Sequence, residues 1–285
     1  MISRAAIAAG SVLLAALAAA STPAAAQFRF DLNRIIDTAK NIGKASTEIS
    51  EPQEVEIGKQ YAAVLLGAAP LVPDPALQRY VNTLGRWVAL HAERPALAWQ
   101  FGVLDSDNVN AFATPGGFVL ITKGLLATMR SEAELANVLA HEVSHVVKKH
   151  HLNAIRKGAG MQAGMNILGD FVAQGSRNPE ITSRLVSGMK EVMLRGLDKD
   201  DELEADRMGV VIAARSGYDP YGLPAVLQTL SAMNPQDSGL ALMFATHPAP
   251  GARLDALDTA MGTRLERYAA SARVSAEFGR VTRRK

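Results

Sequence analysis

The stretch Val138-Leu139-Ala140-His141-Glu142-Val143-Ser144-His145-Val146-Val147 decides how the rest of the chain is read. Its two histidines stand at i and i+4, so on a helix they share one face, about one turn apart, and both imidazoles can reach one ion. Glu142 sits beside the pair, where a carboxylate can take a proton from a water activated by that ion. Neutral imidazole suits zinc, and one Zn2+ per chain is the expected cofactor. The helix is almost uniformly apolar around these groups, which places them inside the protein. Buried His and Glu need partners, and a metal supplies them. A purely structural zinc site is the alternative, but it would leave Glu142 idle.

A hydrolytic zinc needs a third protein ligand. His151 would complete the pattern HExxHxxGxxH, but Lys148 stands where that pattern requires a turn-forming glycine. On a continuous helix His151 would lie about 15 Å along the axis from His141, and His150 has no better register. The acidic run Asp198-Lys199-Asp200-Asp201-Glu202-Leu203-Glu204-Ala205-Asp206 is the stronger source. On a helix Glu202, Asp206, Gly209 and Ala213 share one face, whose glycine would admit a close neighbouring helix. Glu204 points away from that face, toward solvent. Glu202 is therefore the expected third ligand, and Asp206 an acceptor that orients a ligand imidazole.

Working outward, helical spacing marks Glu54–Leu66, Pro75–His91 (Leu77, Tyr80, Val81, Leu84 and Val88 on one stripe) and Ser131–His151, where Ser131 and Glu134 fit a capping box. Further helices are expected over Asp200–Ser216, near Gly222–Ala232 and over Gly251–Arg273. Short β-like runs cover Ala98–Leu104, Asn108–Ala113 and Phe118–Thr122, the last two flanking the turn signal Thr114-Pro115-Gly116-Gly117. The fold class is α+β, mainly α, with one small antiparallel sheet. Lys157–Gly175, rich in Gly and Met, reads either as an ordinary helix or as a mobile lid.

The 285 residues carry 30 Lys+Arg against 28 Asp+Glu, a net charge of +2, and no Cys. That balance argues against a nucleic-acid partner, which calls for a clustered basic excess. Without Cys there is no disulfide scaffold, thiol nucleophile or lipid attached through Cys, so a lipoprotein is excluded. Arg4, the apolar run Ala5–Ala20 and the small residues Ala24-Ala25-Ala26 read as a cleaved export signal over 1–26, too short and Ala-rich for a span. Residues 27–285 then form a single domain, with an N-terminal helical extension at 27–50 and a basic, solvated tail at 274–285. The expected location is the periplasm, with no transmembrane span and at most weak peripheral attraction to an anionic membrane.

HEVSH followed far downstream by ELEAD resembles family forty-eight of the metallopeptidases, the gluzincins that include the CAAX prenyl protease and HtpX. Asn110-Ala111-Phe112-Ala113-Thr114-Pro115-Gly116-Gly117 resembles that family's NAFA-PGG hairpin, and Thr246-His247-Pro248 with Arg253 resembles its late HP…R element. The likeness implies a zincin-like metallopeptidase domain with zinc on His141, His145 and Glu202 and Glu142 as general base. It implies that His247 stabilises the oxyanion or reaches the zinc at rest, and that Arg253 pairs a carboxylate of the site. Asn110, Ala111 and Phe112 would form an edge strand that takes an extended polypeptide. The secreted bacterial branch resembles this chain most, implying unfolded or misassembled envelope proteins as substrates. The rival expectation is a latent protease serving as a chaperone-like binding module. Membrane spans of the prenyl-protease members have no counterpart, so CAAX processing is not implied.

Overall fold

A computed structural model of the chain describes residues 50–157, 197–234, 236–269 and 276–282. The export signal at 1–26, the extension at 27–49 and the Gly- and Met-rich stretch from 158 to 175 lie outside the described residues. Helices α1 (Glu51–Ala68) and α2 (Pro75–Ala89) lead into strand β1 (Gln100–Leu104), followed by the hairpin β2 (Ala111–Thr114) and β3 (Phe118–Thr122). Then come α3 (Lys123–Thr128), α4 (Glu132–Val147), α5 (His150–Lys157), α6 (Lys199–Arg215), α7 (Gly222–Ser231), α8 (Ala241–Thr246), α9 (Pro250–Met261) and α10 (Ala276–Thr282). No described helix is long and apolar enough to cross a membrane.

Local chemistry starts the two helices that matter most. Asp74 caps α2 by accepting from the N–H groups of Ala76 and Leu77 at 2.8 and 3.1 Å, with Pro75 in the first turn. Ser131 caps α4 by accepting from Glu134 N–H at 3.1 Å, while the Glu134 carboxylate accepts from Arg130 N–H at 2.7 Å. The apolar stripe of α2 then lies against β1, and α4 runs through the middle of the main core, where Leu135, Ala136, Leu139, Ala140 and Val143 are fully buried.

The sheet order is β1-β3-β2. It is mixed rather than wholly antiparallel as expected: β2 and β3 pair antiparallel, but β1 runs parallel to β3. The reason is the connection between β1 and β2, which crosses the end of β3, where Ser106 C=O accepts from Gly124 N–H at 3.0 Å. It sets β2 on the far side, so the strand returning from β2 must run in the direction of β1. The return turn needs positive φ at Gly116 (76°) and Gly117 (101°), which glycine supplies without strain. The outer edge of β1 is closed. Side-chain amides of α2 accept there, Asn82 from Phe101 N–H at 3.0 Å and Gln78 from Val103 N–H at 2.9 Å, and Val72 N–H donates to Val103 C=O at 2.9 Å. Among the described residues no strand pairs with the outer edge of β2.

Two further sequence expectations change. The helix expected over Ser131–His151 is broken: α4 caps at Lys148, Lys149 takes φ 58°, and α5 begins at His150. A left-handed C-terminal residue usually announces itself as Gly or Asn. Here a lysine adopts it, with its ammonium beside a buried carboxylate. Glu54 of α1, fully buried, accepts from Arg94 at 2.7 Å and from Gly116 N–H at 3.1 Å, and lies 3.5 Å from Lys149 Nζ; Arg94 also donates to Val146 C=O at 3.4 Å. The second change concerns the basic tail. Its residues 276–282 form α10, which seats Phe278 in the main core, so this part is packed rather than solvated. The i, i+3 pairing of Phe278 and Val281 on one helix face is visible only once their burial is known.

Glu54→Ala should strip the partly exposed Arg94 guanidinium and the hairpin turn of their shared acceptor. Unfolding by denaturant should show a loss of about 1–3 kcal/mol with an unchanged m-value.

Candidate metal centre

α4 presents His141, Glu142 and His145, and α6 presents Glu202, Asp206 and Gly209, all buried. Gly209 sets the approach of the two helices: a Cβ there would stand 3.0 Å from His141 N and 3.1 Å from His141 Cα, tighter than ordinary contact and against backbone that cannot swing aside. The close approach brings three donor groups together. His141 Nε2 and His145 Nε2 are 3.0 Å apart, Glu202 Oε1 is 3.4 Å from His145 Nε2, and Glu202 Oε2 is 3.7 Å from His141 Nε2.

These residues fit a zinc ion. Donors about 2.0–2.2 Å from a tetrahedral zinc stand about 3.3 Å from one another, close to the 3.0 Å between the two Nε2 atoms and the 3.4 Å from His145 Nε2 to Glu202 Oε1. Glu202 Oε1 is buried without a hydrogen-bond donor among the described residues, a costly condition that a cation relieves. His145 has its pKa pushed well below the ordinary value, first by burial and then by the neighbouring imidazoles, so it is neutral and able to offer a lone pair. Glu202 is held at about 2: burial acts against the carboxylate, but His247, His141 and Arg253 outweigh it. Among the described residues, this His–His–Glu trio is the group with metal-holding geometry.

Asp206 Oδ1 lies 2.9 Å from His141 Nδ1, so a proton on Nδ1 leaves Nε2 bare and facing the centre. Arg253 of α9 fixes that carboxylate, donating to Asp206 Oδ2 from Nε at 2.8 Å, and lies 3.7 Å from Glu202 Oε2. Burial would raise Asp206, yet Arg253 and His141 hold it well below the carboxylate range, and the same contacts raise Arg253 against its own burial. Glu142 moves the other way: burial raises its pKa, against the pull of His141, His247 and Arg253. His247, just beyond α8, stands 2.7 Å from Glu202 Oε2 by Nδ1, with its ring 5.9 Å from that of His141. Burial disfavours its charge, but the Glu202 carboxylate prevails and raises its pKa.

Asn110 and strand β2 lie beside α4. Thr122 N–H donates to Asn110 C=O at 3.0 Å, so by alternation the main-chain groups of Ala111 and Ala113 face away from β3, and Phe112 pairs inward with Leu120. The Ala111 N–H takes Asn110 Oδ1 at 2.9 Å. His151, set aside because the helix seemed continuous, is in fact folded back: its ring is 5.5 Å from that of His145, and burial lowers its pKa to about 4. His150, also set aside, is closer still, with its Nδ1 3.0 Å from His145 Nδ1. Glu204, expected in solvent, accepts from His150 Nε2 at 3.2 Å and from Lys148 at 2.7 Å. No pattern in the sequence marked His150, because its position depends on the turn at Lys149.

Gly209→Val should push α6 off α4. Metal sites tolerate distance errors of only about 0.2 Å, so zinc affinity, measured by chelator competition, should fall at least about tenfold.

Comparison with known proteins places these elements in a common frame. The model of Peptidase family M48 matches residues 75–261, a span running from α2 to the end of α9. The beta-barrel assembly-enhancing protease of Escherichia coli (strain K12) is 32% identical over 224 residues, covering 76% of this chain and 46% of that protein. The mitochondrial metalloendopeptidase OMA1 of Arabidopsis thaliana is 33% identical over 154 residues, 54% of this chain and 30% of its own length. Protease HtpX homolog 1 of Streptomyces coelicolor is 31% identical over 191 residues, 54% of this chain and 62% of its own. The chain thus spans less than half the length of the assembly-enhancing relative it matches. With HEVSH on α4, the ELEAD glutamate on α6 and the matched span enclosing both, the chain belongs to peptidase family M48.

Proposed function

We propose that this chain is an exported, periplasmic zinc metalloendopeptidase that hydrolyses peptide bonds of unfolded or misassembled envelope proteins. The observation that carries the reading is the convergence of His141, His145 and Glu202 donors beside a buried carboxylate, Glu142. When bound, zinc supplies Lewis acidity, bringing the pKa of a water toward about 7 and polarising the scissile carbonyl.

The chain's own residues would do the rest. Glu142, whose burial raises its proton affinity, takes a proton from the attacking water and hands it to the leaving amine. The outer edge of β2, which pairs with no strand among the described residues, lines up an extended polypeptide by adding it as a further strand, gripping main chain rather than particular side chains. Asn110 orders the start of that edge through Ala111 N–H. Arg253 and Asp206 hold the His141 imidazole in register. His247 is near enough to Glu202 to swing toward an oxyanion formed over the site. Envelope substrates are supported by the relative's name, which ties it to β-barrel assembly, and by the export-signal pattern at residues 1–26.

The His247–Glu202 contact also favours the second reading, a latent protease that holds clients on the same edge, because it engages an oxygen of the third ligand. Casein degradation by the purified chain separates the two. Wild type should cleave with zinc and stop with chelator, while Glu142→Gln should keep its zinc and lose about 10²–10⁴-fold in rate. His247→Ala should cost about 10²–10³-fold if His247 serves the oxyanion; faster cleavage would make the contact a latch. Stoichiometric zinc with wild type as inert as Glu142→Gln would give the binding reading precedence.

A further inference from the structure

The two imidazoles of the centre are oriented from opposite sides by different chemistry. His141 Nδ1 meets the Asp206 carboxylate, 2.9 Å away. Among the described residues His145 Nδ1 meets no carboxylate; it meets the Nδ1 of His150 at 3.0 Å, and both rings are buried, 1% and 3% exposed. One of two such nitrogens must donate and the other accept. The far side of His150 decides which. Its Nε2 is 3.2 Å from Glu204 Oε2, with Asp201 Oδ1 at 3.7 Å, and ionised carboxylates only accept. A neutral His150 therefore carries its hydrogen on Nε2 and presents a bare Nδ1. The hydrogen between the rings must come from His145 Nδ1, which leaves His145 Nε2 bare, facing His141 Nε2 and Glu202 Oε1. Lys148 Nζ, 2.7 Å from Glu204 Oε1, fixes the outer carboxylate.

We infer that His150 is a positioning residue for the metal centre: through the chain Glu204–His150–His145 it selects the ligand tautomer and ring orientation of His145. The inference rests on reading His141, His145 and Glu202 as the metal ligands. On a continuous helix a residue at i+5 would sit on a different face, more than one turn away. The turn at Lys149 (φ 58°) folds His150 back over His145. That turn is in reach of the buried Glu54 and of Arg94, which binds Val146 C=O. A solvent-facing rim carboxylate is thereby connected to a buried ligand, the arrangement that commonly sharpens metal sites.

The test compares full chains stripped of metal and titrated with zinc against a chelating dye, with melting of the metal-free forms followed alongside. His150→Phe keeps the ring volume but offers no acceptor, and should weaken zinc binding about 10–100-fold. His150→Asn can place an amide oxygen near the lost Nδ1 and should recover most of that affinity. Equal affinity of His150→Phe and wild type would overturn the inference, as would equal losses in the Phe and Asn variants matched by equal losses of melting temperature, the mark of mere packing. Should His150→Phe fail to fold, Glu204→Leu at the half-exposed outer end decides: weaker zinc supports the relay and unchanged zinc refutes it. His145→Ala and Glu202→Ala serve as the separate control. If they too bind zinc normally, the ligand assignment itself fails; if they lose zinc while both relay variants keep it, only the role of His150 fails.

Discussion

The molecule depends on keeping two carboxylates of one helix, Glu202 and Asp206, buried against two histidines of another. An isolated carboxylate in a protein interior is too costly to persist ionised unless cations and N–H groups surround it. Each of the two is met accordingly. Asp206 is clamped by Arg253 and His141, and Glu202 by His247 with Arg253 behind it, leaving one Glu202 oxygen for a cation. Helix approach makes this possible, and Gly209 is where the approach is closest.

The remainder of the fold supports that contact. α9 exists at the site to deliver Arg253, and the loop after α8 to deliver His247. On the opposite flank Glu54 does for the framework what Asp206 does for the centre. One buried carboxylate ties α1 to the hairpin turn, to Arg94 and to the lysine that ends α4. Closure of the β1 edge by Gln78 and Asn82 leaves β2 as the edge beside the site helix. An enzyme that grips main chain would need one open edge, and an exposed second edge would invite unwanted pairing.

Much of this could be read from residue order. The i, i+4 histidines, the Glu202–Asp206–Gly209 face, the capping residue Ser131 and the Pro-Gly-Gly turn are local patterns, and local patterns survive without tertiary information. The places where the reading departed share one cause. Lys148-Lys149 carries no Gly or Asn, so nothing local predicts that the helix stops there; at the stop Lys149 lies beside a carboxylate in a helix more than 90 residues earlier in the chain. The expected distance of His150 and His151 from the centre inherited that error. The direction of β1 and the burial of Phe278 also depend on partners distant in the chain.

By itself, then, the sequence determined the chemistry on offer: two imidazoles and a carboxylate on one helix face, two more carboxylates on another, and no thiol anywhere. It also determined the mainly helical class, because hydrophobic period and capping are properties of neighbouring residues. Only the tertiary structure decided that the sheet is mixed, that the site helix ends at Lys148-Lys149 beside Glu54, and that His150 lies on His145 with the half-exposed Glu204 meeting its far side. Those outcomes follow from satisfying buried charge and hydrogen-bonding groups across long sequence separations, a condition that applies to the whole interior at once and leaves no mark on any short stretch of residues.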